Sequence, residues 1–187
     1  MTTARAFLLA PGAGASRDHH TLVALEDALA PLPVARMDFP YRKAGRKSPD
    51  RAPVAVAAVV EEATQLAESA GVEPASIVLG GRSFGGRMCS MAVAEGLPAA
   101  GLVLLSYPLH PPGKPDKLRI EHFEALDLPC LFISGSKDPF GSPEELEAHT
   151  AAIPGPVTHV WLPGGHDPRN ADGPIAEAVA DWSATLP

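Results

Sequence analysis

Short apolar runs punctuate this chain, and between them apolar residues return at helical spacing. Ala6 to Ala10 is the first run, too short for a helix and without polar alternation, so it reads as a buried strand. A glycine-rich loop, Pro11 to Ser16, follows, with Ser16 or Asp18 placed to cap a helix. Leu22, Leu25 and Leu29 share one face of that helix, and Pro31 and Pro33 stop it. Val34 to Phe39 predicts a second strand, closed by Pro40. Tyr41 to Asp50 is basic and aperiodic, and is expected to be a surface loop. A long alanine- and valine-rich helix is expected from about Pro53 to Ala70, ended by Gly71. Ile77 to Leu79 is a third strand, followed by the glycine-rich turn Gly80 to Gly86. A buried helix then starts at Met88 and is closed by Gly96 and Pro98.

Gly101 to Ser106 is a fourth strand, apolar on both faces. The proline-rich stretch Tyr107 to Pro115 reads as a loop, and Lys117 to Leu126 as a short helix. Pro129 to Ile133 gives a fifth strand. Ser142, Pro143 and Glu145 form a capping box at the start of the next helix. Val157 to Leu162 is a sixth strand, and a final helix runs from about Pro174 to Ala184. Strand and helix alternate throughout, and no repeat or linker interrupts them. The expectation is one α/β domain over residues 1–187, a mainly parallel six-stranded sheet with helices on both faces and no lid domain.

Composition narrows the function classes. Hydrophobic residues make up 45% of the chain and charged residues 20%, as in ordinary globular proteins. The net charge of −7 argues against a general nucleic-acid binder. No apolar run approaches the ~18 residues that span a bilayer. The Arg5 to Ala15 segment has too short an apolar stretch for a signal peptide and is read as the first strand and its loop. Cys89 and Cys130 lie in apolar contexts and read as small buried hydrophobes. With no Cys/His spacing for zinc, the expectation is a cytoplasmic protein without metal or cofactor, with no nucleic-acid or membrane partner.

The candidate chemistry lies in the loops after strands, where ligands bind in open parallel sheets. Gly81-x-Ser83-x-Gly85 fits a nucleophile elbow, a sharp strand-to-helix turn that exposes a serine hydroxyl. Asp138 follows the fifth strand and His166 the sixth, so the chain order is Ser, acid, His. In that constellation Ser83 is the nucleophile, His166 the general base and then acid, and Asp138 the residue that orients the imidazole. The oxyanion donors are expected to be the backbone N–H of Phe84 and that of Ala13, in the loop after the first strand. The structural alternatives are a turn-forming Asp138 beside Pro139, with Asp127 and Asp116 as fallback acids, and a surface-loop His166. His19 and His20 are read as surface residues at a helix start.

These stretches resemble a known family. Pro11 to Gly14, Asp38 to Tyr41, Gly80 to Gly86, Tyr107 to Pro115, Lys137 to Gly141 and Gly164 to Asp167 are together similar to small α/β-hydrolases of the dienelactone-hydrolase-like kind. More closely, they resemble short bacterial predicted hydrolases related to the eukaryotic NSL-complex subunit three. The resemblance implies an α/β-hydrolase core with a triad of Ser83, Asp138 and His166, and does not supply a substrate. The first two strands of the larger fold are absent from the pattern, and Ser83 stands where dienelactone hydrolases proper carry cysteine.

The expected function is therefore serine-dependent hydrolysis of a small ester or thioester through an acyl-enzyme. Gly12, Gly14, Tyr41, Arg42, Arg82 and His110 fall in loops at the expected rim and are candidates for substrate contact. Arg42, Lys43, Arg46, Lys47, Arg82, Lys114 and Lys137 give that rim a local excess of cations. This points either to an anionic small-molecule substrate or to a solvated rim with structural ion pairs. A dinucleotide site at Gly12 to Gly14 with Asp38 is a weaker reading, because Arg17 stands where the third glycine is needed. A non-catalytic interaction module is a further alternative, since the related eukaryotic subunit is thought of as a scaffold and fold does not dictate activity.

Overall fold

The computed structural model describes residues 4–187. Six parallel strands form one sheet: β1 (Ala6–Ala10), β2 (Val34–Arg36), β3 (Ile77–Arg82), β4 (Gly101–Leu105), β5 (Cys130–Gly135) and β6 (Val157–Leu162). Their spatial order is β2-β1-β3-β4-β5-β6, every neighbour parallel. The helices are α1 (His20–Leu29), α2 (Pro40–Lys43), α3 (Ala52–Ala70), α4 (Phe84–Ala94), α5 (Pro143–Thr150) and α6 (Asp172–Ala184).

The uninterrupted apolar strands feed two cores at once. In β1, Ala6, Leu8 and Ala10 pack with α3 and α4, while Phe7 and Leu9 pack with α1 and α6. In β4, Leu102 and Leu104 join the first core, and Val103 and Leu105 the second. The period of two along a strand sends alternate side chains to opposite faces, so a strand covered on both faces has no polar position to show. The edge strands are the exception. β2 and β6 are only half-buried, and in them His159, Trp161 and Arg36 appear.

Three local expectations are corrected. β2 stops at Arg36: Met37 N–H still donates to the Leu9 carbonyl, but Phe39 and Pro40 then turn the chain into α2. The segment expected as loop from Tyr41 thus begins inside a helical turn, with Tyr41 fully buried. The helix expected over Lys117 to Leu126 is reduced to a 3-10 turn, Phe123–Ala125. Its backbone is used elsewhere, because Arg119 N–H donates to the Leu109 carbonyl at 2.9 Å and Tyr107 Oη donates to the Arg119 carbonyl at 2.6 Å. These bonds fold the proline-rich stretch back on itself instead of along a helix axis. The capping box is formed as expected, Ser142 Oγ accepting from Glu145 N–H and Glu145 from Ser142 N–H.

The sheet also fixes where a site can form. From β1 the chain steps one way to β2, then crosses back to β3 on the other side of β1. Loops leaving β1 and β3 diverge to opposite faces there, which opens a crevice at the carboxyl ends of those strands.

Candidate active site

Ser83 stands at that crevice, between β3 and α4, with φ 46° and ψ −115°. This is a conformation that side-chain-bearing residues avoid. Its N–H donates to the Leu105 carbonyl at 2.8 Å, which extends the β3–β4 ladder to the turn itself. The turn is possible because α4 approaches the backbone of β1 directly. A Cβ on Gly85 would sit 2.6 Å from the Ala10 carbonyl carbon, so only glycine fits. Strand β3 runs on to Arg82, and α4 begins at Phe84, four residues before the expected Met88.

The structure brings Ser83, His166 and Asp138 together. Ser83 Oγ lies 2.9 Å from His166 Nε2, and His166 Nδ1 lies 2.8 Å from Asp138 Oδ2. A carboxylate accepts and does not donate, so Nδ1 carries the proton and, in the neutral ring, Nε2 accepts from the serine hydroxyl. Asp138 is buried and also accepts from the Phe140 N–H at 2.8 Å. The acid is thereby oriented by its own loop. Phe140 stacks on the His166 ring with centroids 4.0 Å apart.

The loop after β1 faces this trio. A Cβ on Gly12 would lie 3.8 Å from Ser83 Cβ. Tyr41 Oη donates to the Ala13 carbonyl at 2.6 Å, so the tyrosine supports the loop from below rather than meeting a ligand. Gly12, Ala13, Gly14, Ser83 and His166 line a cleft of about 450 Å³. Ala13, Ser83, Phe84 and Phe140 line a second cavity, of about 370 Å³, on the other side of the serine.

Arg82 is buried beside Ser83 and spans three partners. Nη1 donates to His19 Nε2 at 2.8 Å, and Nη2 to the His166 carbonyl at 3.0 Å and to Asp167 Oδ1 at 3.1 Å. Burial lowers its pKa from the ordinary arginine value while Asp167 and Asp138 oppose the shift, and the guanidinium stays charged. His19 is pushed below the ordinary histidine value, first by burial and then by the Arg82 charge, which suits an acceptor. Sequence reading took His19 for a surface residue, but a cation beside the elbow needs an acceptor, and the loop after β1 supplies it.

Besides Tyr41, two expected substrate contacts are displaced. His110 is buried, with its Nε2 3.3 Å from Glu145 Oε2 and its Nδ1 against the Pro111 carbonyl, and it lines neither cavity. The reason is the fold of the proline-rich loop, which ties His110 N–H to the Phe140 carbonyl and turns its ring toward α5. Arg42 is exposed on α2 and lines neither cavity. Of its basic neighbours, Lys43 pairs with Glu62 and Arg46 with Asp50. The cations that do line the cavities are Arg82 in one and Arg87 and Arg119 in the other. Sequence reading missed the last two. Arg87, four residues after Ser83, shared its helical face and was the available signal.

Among the described residues, His19, His20 and Asp167 alone bring three metal-capable atoms within 4.8 Å of one another. Arg82 already donates to His19 and Asp167, and His20 Nδ1 pairs with Asp172 at 2.7 Å. The group is thus arranged around a guanidinium, and a metal ion there would face that charge. No helix among the described residues is long and apolar enough to cross a membrane.

Solved structures share this fold. One is from a study of LipS and LipT, two metagenome-derived lipolytic enzymes, at 16% identity and TM-score 0.77 over 97% of this chain and 94% of that one. Another is Est1E from Butyrivibrio proteoclasticus with ferulic acid bound, at 17% identity and TM-score 0.76 over 98% and 89%. A third is the RedJ thioesterase of the prodiginine pathway in Streptomyces coelicolor, at 18% identity and TM-score 0.65 over 95% and 86%. At these identities the likeness is one of fold. The sequence itself matches the alpha/beta hydrolase domain model over residues 3–181, nearly its whole length, and the chain belongs to that family.

Proposed function

We propose that this protein is a serine hydrolase acting on a small ester or thioester. The observation that carries the reading is the unbroken line of contacts from Ser83 Oγ through His166 to the buried Asp138, with the serine in a strained turn. Neither the strain nor the burial of an acid is needed by a merely structural loop, and both cost stability.

In this reading His166 Nε2 takes the Ser83 proton as Oγ attacks the substrate carbonyl carbon. Charge moves onto the carbonyl oxygen. The N–H groups of Phe84 and Ala13 receive it, one at the first position of α4, where no earlier helical carbonyl competes, and one from the loop after β1. The tetrahedral intermediate collapses, and His166 gives the proton to the departing alcohol or thiol. Water, deprotonated by the same imidazole, then releases the acid and restores the hydroxyl. Asp138 keeps the ring in the required tautomer and favours the imidazolium at each half-reaction. The cleft of about 450 Å³ beside Ser83 suits a small substrate. Esterases and thioesterases among the structural relatives lend the reading further support.

A fluorophosphonate probe is expected to label the folded protein and to fail on Ser83→Ala. A folded wild-type protein that takes no label would sink the proposal and leave the interaction-module reading in its place.

A further inference from the structure

The second cavity, on the Phe84 side of Ser83, holds a charge pattern that the hydrolytic machinery does not use. It measures about 370 Å³, and its lining includes Phe84, Phe140 and Pro108 together with Arg87 and Arg119. Arg87 rises from α4 one turn beyond Ser83, its own N–H donating to the Ser83 carbonyl at 3.0 Å. Arg119 comes from the far end of the proline-rich stretch, where Tyr107 and Leu109 hold its backbone.

Two guanidiniums thus line one half-enclosed space. Among the described residues neither has a carboxylate within 4.0 Å, whereas Lys43, Arg46 and Arg82 are each paired. The buried Arg87 Nε has no hydrogen-bond partner at all. Arg119 spends one donor on the Pro108 carbonyl at a long 3.3 Å. Burial and then the Arg87 charge push Arg119 below the ordinary arginine value, and exposed Glu121 offsets this only in part. Like charges brought together, with donors idle, are a cost that folding alone gives no reason to bear. A bound anion relieves the repulsion between the two charges.

We infer that the Arg87–Arg119 cavity is a substrate subsite that binds an anionic oxygen group carried by the ester or thioester, a few bonds from the scissile carbonyl. The idea rests on Ser83 as nucleophile, since it is the shared Ser83 wall that makes the cavity a subsite. Planar guanidiniums fit carboxylate and phosphate alike, so the group belongs either to the acyl chain, as in a dicarboxylic half-ester, or to the leaving group, as in a phosphorylated thiol. The anionic preference expected from the basic rim is thereby moved from exposed cations to cavity cations.

The test compares matched pairs in the full-length protein. On the acyl side they are 4-nitrophenyl hemiglutarate against 4-nitrophenyl valerate. On the leaving-group side they are S-acetyl phosphopantetheine against S-acetyl-N-acetylcysteamine. Wild type is expected to favour the anionic member of one pair, which identifies the source of the anion. In Arg87→Gln and Arg119→Gln the anionic-to-neutral ratio of kcat/KM should fall about 10-fold or more, the effect of removing one charged hydrogen-bond donor. Arg42→Gln should leave that ratio where it is. Calorimetry with glutarate and with inorganic phosphate reads the site without turnover, and binding should weaken about 10-fold in either arginine variant. If wild type has no anionic preference and binds neither anion, or if both arginine variants keep the wild-type ratio and affinity, the subsite does not exist. Anion binding without hydrolysis of any ester or fluorophosphonate labelling would instead uphold the site and overturn Ser83 as the nucleophile.

Discussion

Arg82 leaves the elbow on the side of His166 and ties together three groups from two loops. Its donors reach His19 after β1, and the His166 carbonyl and Asp167 after β6. It is hydrogen-bonded neither to Ser83 Oγ nor to the His166 ring, so in the proposed hydrolase its part is positioning: it holds the backbone from which His166, the proposed base, projects. Arg82→Met is expected to lower kcat about 10-fold or more while KM changes little, because a small displacement of a reacting group is costly. Arg82→Lys should restore only part of this, since an ammonium cannot span three acceptors in a plane. An unchanged kcat in Arg82→Met would mean the loop holds itself. The candidate trio was legible in the sequence because each member follows a strand, in glycine-rich loops that can approach one another. The environment of Arg82 was not. His19 and Asp167 lie 63 and 85 residues from it, on separate loops whose convergence only the packed sheet determines.

At the scale of elements, the sequence pattern succeeded where hydrogen bonds are local. The box at Ser142 and the glycine cap of α3 both follow from short windows. It failed at Lys117 to Leu126, where the local pattern permits a helix but Tyr107 and Leu109 take the Arg119 backbone groups. It also placed the start of α4 late, because Phe84 to Arg87 look like loop until the elbow forces them into the first turn. That turn depends on bare backbone. In Gly85→Ala a methyl group would meet the carbonyls of Ala10 and Pro11. Rigid backbone on both sides leaves no side chain to yield. Urea denaturation should show a loss of at least about 2 kcal/mol, in the range of overpacked cores. A loss below about 0.5 kcal/mol, the range of neutral surface changes, would show that α4 can shift outward.

Across the whole molecule, burial of histidines couples folding to pH. His122 sits behind α4, where Ser90 Oγ meets its Nε2 at 2.7 Å. Burial, and then the Arg87 charge, lowers its pKa from 6.5 to about 4. The unfolded chain therefore takes up a proton near pH 6.5 that the folded chain refuses until about pH 4. Between those values the unfolded state binds more protons, so stability falls as pH falls. His19 and His159, also lowered, act in the same direction. Urea midpoints measured from pH 7 to pH 4.5 should decline, and decline less steeply in His122→Gln. Equal slopes would assign the acid sensitivity to other groups. The positive φ of Ser83 has a consequence at this scale too. Ser83→Ala and Ser83→Gly both lose the contact with His166, yet only glycine adopts that backbone freely. The glycine variant should be the more stable of the two by about 1 kcal/mol.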